Sequence, residues 1–260
     1  MAFFLRLYRI TALAVWLLFI ILLTIPYQFR GWNGVKKINR LVHLLMTGAA
    51  KIINLRVKLS GEVPDASAGL VVSNHLSYLD IIAHGSVFPI RYSPKSEIAK
   101  WPILGWVTAL SHPIWIKRKM KQASKETLKD FAETAKHGIN LLVYPEGTSS
   151  DGKSGVLPFK STLFEAAVAE DLPVIPVLTR YREAPGRTTV CWYGDMTLLP
   201  HLWQVLGFPS IESELHLLPP VFPEGRSRKE MASHVHELLS REYNKIIGVD
   251  AKWQTSESMF

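Results

Sequence analysis

The first 61 residues contain no aspartate or glutamate, yet they carry nine bases: Arg6, Arg9, Arg30, Lys36, Lys37, Arg40, Lys51, Arg56 and Lys58. The rest of the chain holds 21 bases against all 22 acids, so the net charge of +8 resides in the amino-terminal quarter. A nucleic-acid-binding domain spreads its excess charge over a folded surface, so that class is excluded. A segment lying on anionic lipid carries charge in this way. Cysteine is also nearly missing. Cys191 is the single one, which excludes an intramolecular disulfide framework and fits a reducing compartment or a cytoplasmic face. No 20–50-residue period points to a repeat architecture. The G-x-S-x-G elbow of α/β serine hydrolases is absent, as are the G-x4-G-K-[ST] and G-x-G-x-x-G nucleotide loops. His234-Val-His236-Glu237 spaces its histidines onto different helix faces, so no metal site is expected.

What is present fits one good core plus an appendage: 260 residues, 48% of them hydrophobic. Residues 10–29 carry no charge, and twenty helical residues reach about 30 Å, roughly a hydrocarbon core. Thr11, Thr24, Pro26 and Gln28 interrupt the run, and Trp16 falls in its middle rather than at an interface. Whether this helix spans the bilayer or lies in one leaflet stays open at this level. No small-residue cleavage site follows it closely enough to mark a signal peptide. Two bases precede it and seven follow it, which places the body of the protein on the cytoplasmic side of the inner membrane. Val35, Ile38, Leu41, Val42, Leu45, Ala49, Ile52 and Ile53 then recur at helical spacing, with Lys36, Lys37, Arg40 and Lys51 falling between them, the pattern of a basic amphipathic helix in the interface plane. Residues 1–58 are therefore expected to form a two-helix membrane anchor.

From Gly61 onward an α/β domain is expected, through residue 248, with a polar tail at 249–260. Apolar runs at 69–73, 113–116, 140–144 and 174–178 read as buried strands, and 188–193 and 214–218 add further candidates. Helical patterns cover 120–137 and 161–170. Ser227-Arg-Lys-Glu230 forms a capping box that opens a last helix through about 244. Alternating strands and helices imply a mixed, mostly parallel sheet flanked by helices.

Two stretches carry chemistry. In Asn74-His-Leu-Ser-Tyr-Leu-Asp80 the histidine and the carboxylate are five residues apart. On a regular helix that spacing separates them by about 140°, so they meet only where a strand end turns into a helix. There Asp80 would accept a hydrogen bond from one imidazole nitrogen and leave the other free to take a proton from a hydroxyl. An isolated H-x4-D is equally what a capped turn looks like. In Leu141-Leu-Val-Tyr-Pro-Glu-Gly-Thr-Ser-Ser-Asp-Gly152 a buried strand stops at Pro145. Glu146, Gly147 and Thr148 then turn at its carboxyl end, where open α/β sheets place ligands. Lys160 follows on the approach to a helix.

Together these stretches resemble the glycerolipid acyltransferase family, the 1-acylglycerol-3-phosphate O-acyltransferases and their relatives. Residues 74–80 resemble its N-H-x4-D block, and residues 105–118, ending Ile116-Lys-Arg118, resemble the block in which an arginine follows a strand. Tyr144-Pro-Glu-Gly-Thr148 resembles F-P-E-G-T-R-S, and Leu172-Pro-Val-Ile-Pro-Val177 resembles the proline-flanked strand. The resemblance spans about residues 55–220. It implies acyl transfer from acyl-CoA or acyl carrier protein, serving as substrates with no cofactor, to a lysolipid hydroxyl at the membrane. It further implies His75 as general base and Asp80 as its partner. Asn74, Arg118, Glu146, Gly147, Thr148, Ser149 and Lys160 would lie around the acceptor. One position departs from the pattern: Ser149 stands where the common block has arginine, the residue suited to bidentate phosphate binding. The E-G-T-S-S-D-G variant resembles members that acylate lyso-ornithine lipid. The acceptor is thus 1-acylglycerol-3-phosphate by family prior, with lyso-ornithine lipid as the alternative. A catalytically silent membrane-binding member and a lipid hydrolase are the competing classes.

Overall fold

The computed structural model describes residues 2–62, 68–116, 125–182 and 188–257. It opens with two long helices, α1 (Ala2–Thr24) and α2 (Gly31–Ile53), joined through a 3-10 turn at Ile25–Tyr27. The two helices pack side by side. Trp16, whose mid-run position has no interfacial explanation, faces α2: its indole N–H donates to the Leu45 carbonyl at 3.1 Å. The ring fills the space left by Gly48, where a Cβ would lie 2.2 Å from Nε1. Ile38, Val42, Ala49 and Ile53 bury one face of α2 while Lys36, Lys37, Arg40 and Lys51 stay exposed on the other. Asn54 ends the helix in the left-handed conformation, φ 55°, which asparagine tolerates better than most residues.

Among the described residues six strands follow: β1 (Leu55–Ser60), β2 (Leu70–Ser73), β3 (Ile90–Tyr92), β4 (Asn140–Val143), β5 (Val174–Arg182) and β6 (Ile211–Leu217). Their order is β1-β6-β5-β2-β4-β3. Every neighbouring pair is parallel except β5 and β6, so the sheet is mixed and mostly parallel as the sequence pattern implies. The connecting helices are α3 (Leu79–Val87), α4 (Leu104–Ala109), α5 (Lys125–Lys136), α6 (Glu165–Ala169), α7 (Leu198–Val205) and α8 (Arg228–Glu257). Leu70 and Val72 of β2 face a core built with Phe131, Phe164, Met231 and Leu239. Val71 points the other way, into a layer with Phe88, Leu142 and Ile175. Burial on both faces is why the central strands read as unbroken apolar runs.

Three expectations are corrected, and one strand is added. Residues 113–116 form no strand, only a single bridge from Ile116 to Lys95. Residues 188–193 are coil. β1 alternates apolar and charged residues because it is an edge strand with one neighbour, and it escaped notice behind the basic helix. The last helix runs to Glu257, beyond the expected 244.

Candidate active site

β2 ends at Ser73 and α3 begins at Leu79, and the five residues between them make the turn that the 74–80 spacing requires. His75 Nδ1 lies 2.7 Å from Asp80 Oδ2. The same oxygen accepts the backbone N–H groups of Leu76 at 2.7 Å and Ser77 at 3.0 Å. The Tyr181 hydroxyl donates to Oδ1 at 2.7 Å. Asp80 is completely buried. Burial pushes its carboxyl up, but the hydrogen bond and charge of His75, together with the Ser77 amide, more than offset this and hold it below the usual carboxylate range. An ionised Asp80 can only accept, so the His75 proton sits on Nδ1 and the Nε2 lone pair is free. Nε2 makes no hydrogen bond among the described residues, and the side chain is 14% exposed. A buried carboxylate that holds one tautomer beside an accessible ring nitrogen is the arrangement of a general base.

The neighbours fix this pair in place. The His75 ring stacks on Tyr144 with centroids 4.1 Å apart. Its backbone N–H donates to Glu146 Oε2 at 3.1 Å, and its carbonyl accepts the Ser150 N–H at 2.9 Å. The loop after β4 therefore brackets the histidine from both sides. The other Glu146 oxygen accepts the Leu157 N–H at 3.0 Å. Burial pushes the Glu146 carboxyl up to about 8, against the pull of these two amides. Beneath the pair, His84 is wholly buried, with Nδ1 donating to the Asp80 carbonyl at 2.7 Å and Nε2 3.2 Å from Thr179 Oγ1. The Trp192 N–H donates to the Leu76 carbonyl at 2.7 Å, so the coil at 188–193 closes over the turn.

Of the residues singled out from sequence, His75, Asp80, Asn74, Glu146, Gly147, Thr148 and Ser149 gather at the carboxyl ends of the adjacent strands β2 and β4. Asn74 turns inward, its side-chain amide bonding both the N–H and the carbonyl of Thr179. Glu146 likewise serves backbone amides. Gly147 takes φ +74°, Thr148 is exposed and Ser149 half-buried. Lys160 is exposed and its N–H donates to the Pro145 carbonyl at 2.9 Å. Arg118 lies outside the described residues. Tyr181, Thr179, His84 and Tyr144 had no sequence reading as site partners. The period-2 alternation that puts Thr179 and Tyr181 on one face of β5 would have found them had the strand been extended past 178.

A mostly parallel α/β sheet with a histidine–carboxylate pair at its carboxyl edge is an arrangement able to take a proton from a substrate hydroxyl. Comparison with known proteins narrows this. A family model described as Acyltransferase matches residues 54–180. The chain is 32% identical over 214 residues to the 1-acyl-sn-glycerol-3-phosphate acyltransferase of Neisseria gonorrhoeae, covering 81% of this chain and 82% of that protein. It is 31% identical over 227 residues to the lyso-ornithine lipid O-acyltransferase of Brucella abortus (strain 2308), covering 80% and 84%. The crystal structure of the 1-acyl-sn-glycerophosphate (LPA) acyltransferase PlsC from Thermotoga maritima shares the fold. Its TM-score is 0.67 at 22% identity, over 94% of this chain and 95% of that one. The chain belongs to the acyltransferase family, and its relatives there include acyltransferases of lysophospholipid and lyso-ornithine lipid type.

Proposed function

We propose that this protein transfers a fatty acyl group from a thioester, acyl-CoA or acyl carrier protein, to the free hydroxyl of a lysolipid at the cytoplasmic face of the membrane. The observation that carries the reading is the free Nε2 of His75, opposite an Nδ1–H held by ionised Asp80. In this mechanism Nε2 takes the acceptor's hydroxyl proton as its oxygen attacks the thioester carbonyl. Asp80 stabilises the imidazolium that forms. The tetrahedral intermediate then expels the thiolate, which recovers the proton from Nε2, leaving an ester and a free thiol. The substrate supplies the attacking oxygen, so no acyl-enzyme is required.

An apolar cavity beside the pair supports this reading. A cavity of about 370 Å³ lies between α1, α2 and the segment before α4, lined by Ile20, Val42, Met46, Leu142 and Tyr144 among others. Tyr144 is the residue that stacks on His75, so the cavity wall reaches the reacting centre. An apolar cleft of this size suits a ligand tail.

The acceptor proposed first is 1-acylglycerol-3-phosphate. Ser149 in place of the motif arginine favours a second reading, lyso-ornithine lipid, and relatives bearing both names match about equally. The test is transfer from a radiolabelled acyl thioester offered to lysophosphatidate and lyso-ornithine lipid side by side, with His75→Ala and Asp80→Ala as controls. Transfer to one acceptor, lost in both variants, is expected. Turnover surviving in His75→Ala would remove the base. Fatty acid release without an acceptor would make the protein a hydrolase, and liposome binding without any thioester consumption would make it a silent member.

A further inference from the structure

Resting on the lysolipid reading, the question left by Ser149 is which cation meets the acid group of the acceptor. Four bases along the motif-bearing stretches could supply the charge that Ser149 lacks: Arg118, Lys153, Lys160 and Arg180. Arg118 lies outside the described residues. Arg180 faces Glu214 across the β5–β6 pairing, 3.8 Å away. Its side chain therefore stands on the face of β5 opposite to Thr179 and Tyr181, which turn to the His75–Asp80 pair. Lys153 sits in a stretch whose carbonyls at Gly152 and Lys153 accept from Tyr243 of α8 at 3.0 Å each.

Lys160 differs from these. Its backbone is fastened to Pro145, next to the tyrosine that stacks on His75. Its side chain folds back over the E-G-T turn, and a Cβ built on Gly147 would fall 2.3 Å from Nζ and 3.0 Å from Cε. Gly147 is thus demanded twice, by φ +74° and by the lysine that occupies the space of a side chain. Among the described residues Lys160 makes no ion pair. The Ser149 hydroxyl makes no hydrogen bond there either. A fixed backbone, an ammonium laid on the turn and a missing counter-anion occur together one residue beyond the carboxylate that holds the His75 amide.

We infer that Lys160 is the specificity-determining residue that receives the anion of the acceptor headgroup, doing from the far side of Gly147 what an arginine at 149 would do. The shared chemistry is an acid oxygen on a lysolipid, either a phosphomonoester or the carboxylate of an amino-acid headgroup. An ammonium is a compact point charge with three donors and no fork, so it does not demand the bidentate geometry that arginine selects.

The experiment is steady-state kinetics of Lys160→Met and Lys160→Arg with lysophosphatidate and, separately, lyso-ornithine lipid, with the thioester donor varied in parallel. For the acceptor that the protein uses, Lys160→Met is expected to raise KM about tenfold or more, the scale of one charge-assisted hydrogen bond. The kcat and the donor KM should stay within about threefold, and Lys160→Arg should restore most of the loss. The acceptor whose KM moves identifies the anion. An unchanged acceptor KM would overturn the assignment. So would equal losses for donor and acceptor, or no rescue by arginine, since these would mean that Lys160 only supports the loop bracketing His75. If the unaltered protein transfers to neither lipid, the acyltransfer reading fails, and that outcome is separate from any result with the variants.

Discussion

At the scale of single residues, Asp80 orients His75, and in the proposed mechanism its charge also stabilises the imidazolium; a substitution can separate the two. Asp80→Asn keeps an oxygen where Leu76 N–H, Ser77 N–H and His75 Nδ1–H converge. Its new NH2 would face Tyr181, whose hydroxyl oxygen can accept in place of donating. The turn and the tautomer therefore survive, while the negative charge is lost. The expected result is a melting temperature within a few degrees of the unaltered protein and a kcat lower by about 10²–10³-fold, the range seen when a preorganised electrostatic partner is removed. A variant that keeps activity within about threefold would mean the carboxylate acts through geometry alone. The pair itself was legible in the sequence, because only a histidine and an acid straddling a strand-to-helix turn can meet at that spacing. Asn74 and Glu146 were read as facing the acceptor, whereas their side chains bond the backbone of Thr179 and of His75 and Leu157. Residue type and spacing report proximity to a site, but they do not tell which way a polar side chain turns.

At the scale of elements, α3 is held to the sheet by His84, and this makes the stability of the site depend on pH. Burial pushes the His84 imidazole below its ordinary value of 6.5, and the nearby Asp80 charge recovers only part of this. A group that binds its proton more weakly when folded stabilises the fold above its unfolded pKa, and that contribution is lost as pH falls below about 6.5. Asp80 has its own depressed value and adds a second loss only at much lower pH, below the ordinary carboxylate range. Glu146, pushed up to about 8, has the opposite sign and gains stability as pH falls through the same range, so the His84 contribution is read by difference. In thermal unfolding followed between pH 7.5 and pH 5.5, His84→Gln should melt below the unaltered protein at pH 7.5, and the gap should narrow towards pH 5.5. Parallel slopes in the two proteins would show that other histidines set the dependence. The sequence exposed the central strands because apolar runs are what two-sided burial requires. It hid β3, which at three residues has no period to detect, and it read a full strand at 113–116, where the chain hydrogen-bonds to Tyr92, Pro94 and Ser96 but forms only a single bridge.

At the scale of the whole molecule, the open question from sequence is how the first helix meets the membrane. α1 is about 35 Å long at 1.5 Å per residue, enough to cross a bilayer, and most of its large apolar side chains are exposed, Phe4 and Val15 among them. Yet the body grips it at both ends. Near its start, Arg6 Nε donates to the Trp203 carbonyl, and buried Arg9 donates to the carbonyls of Ile52, Leu206, Phe208 and Pro209. Just past its end, Gln28 donates to the Leu110 carbonyl and meets His112 at 3.0 Å. A helix fastened at both ends to one α/β body cannot carry one end across a bilayer without tearing those bonds and unpacking α2. It can lay its exposed face in one leaflet, and α4, which lines the same cavity as α1, and the residue before it add exposed Trp106 and Ile103. We predict that α1 is interfacial, with both ends on the same side as the active site. Single cysteines in place of Ala2 and of Phe29, which is 98% exposed, should react with a membrane-impermeant maleimide from the same side of sealed inverted vesicles, while buried Cys191 stays silent. Labelling of the two positions from opposite sides would show that the helix spans and that the Arg9 anchor opens in the membrane. Labelling of both from the active-site side would mean that the acyl cavity bounded by α1 opens at the depth where lipid chains begin, so that the lysolipid's tail need not leave the leaflet for its hydroxyl to reach His75.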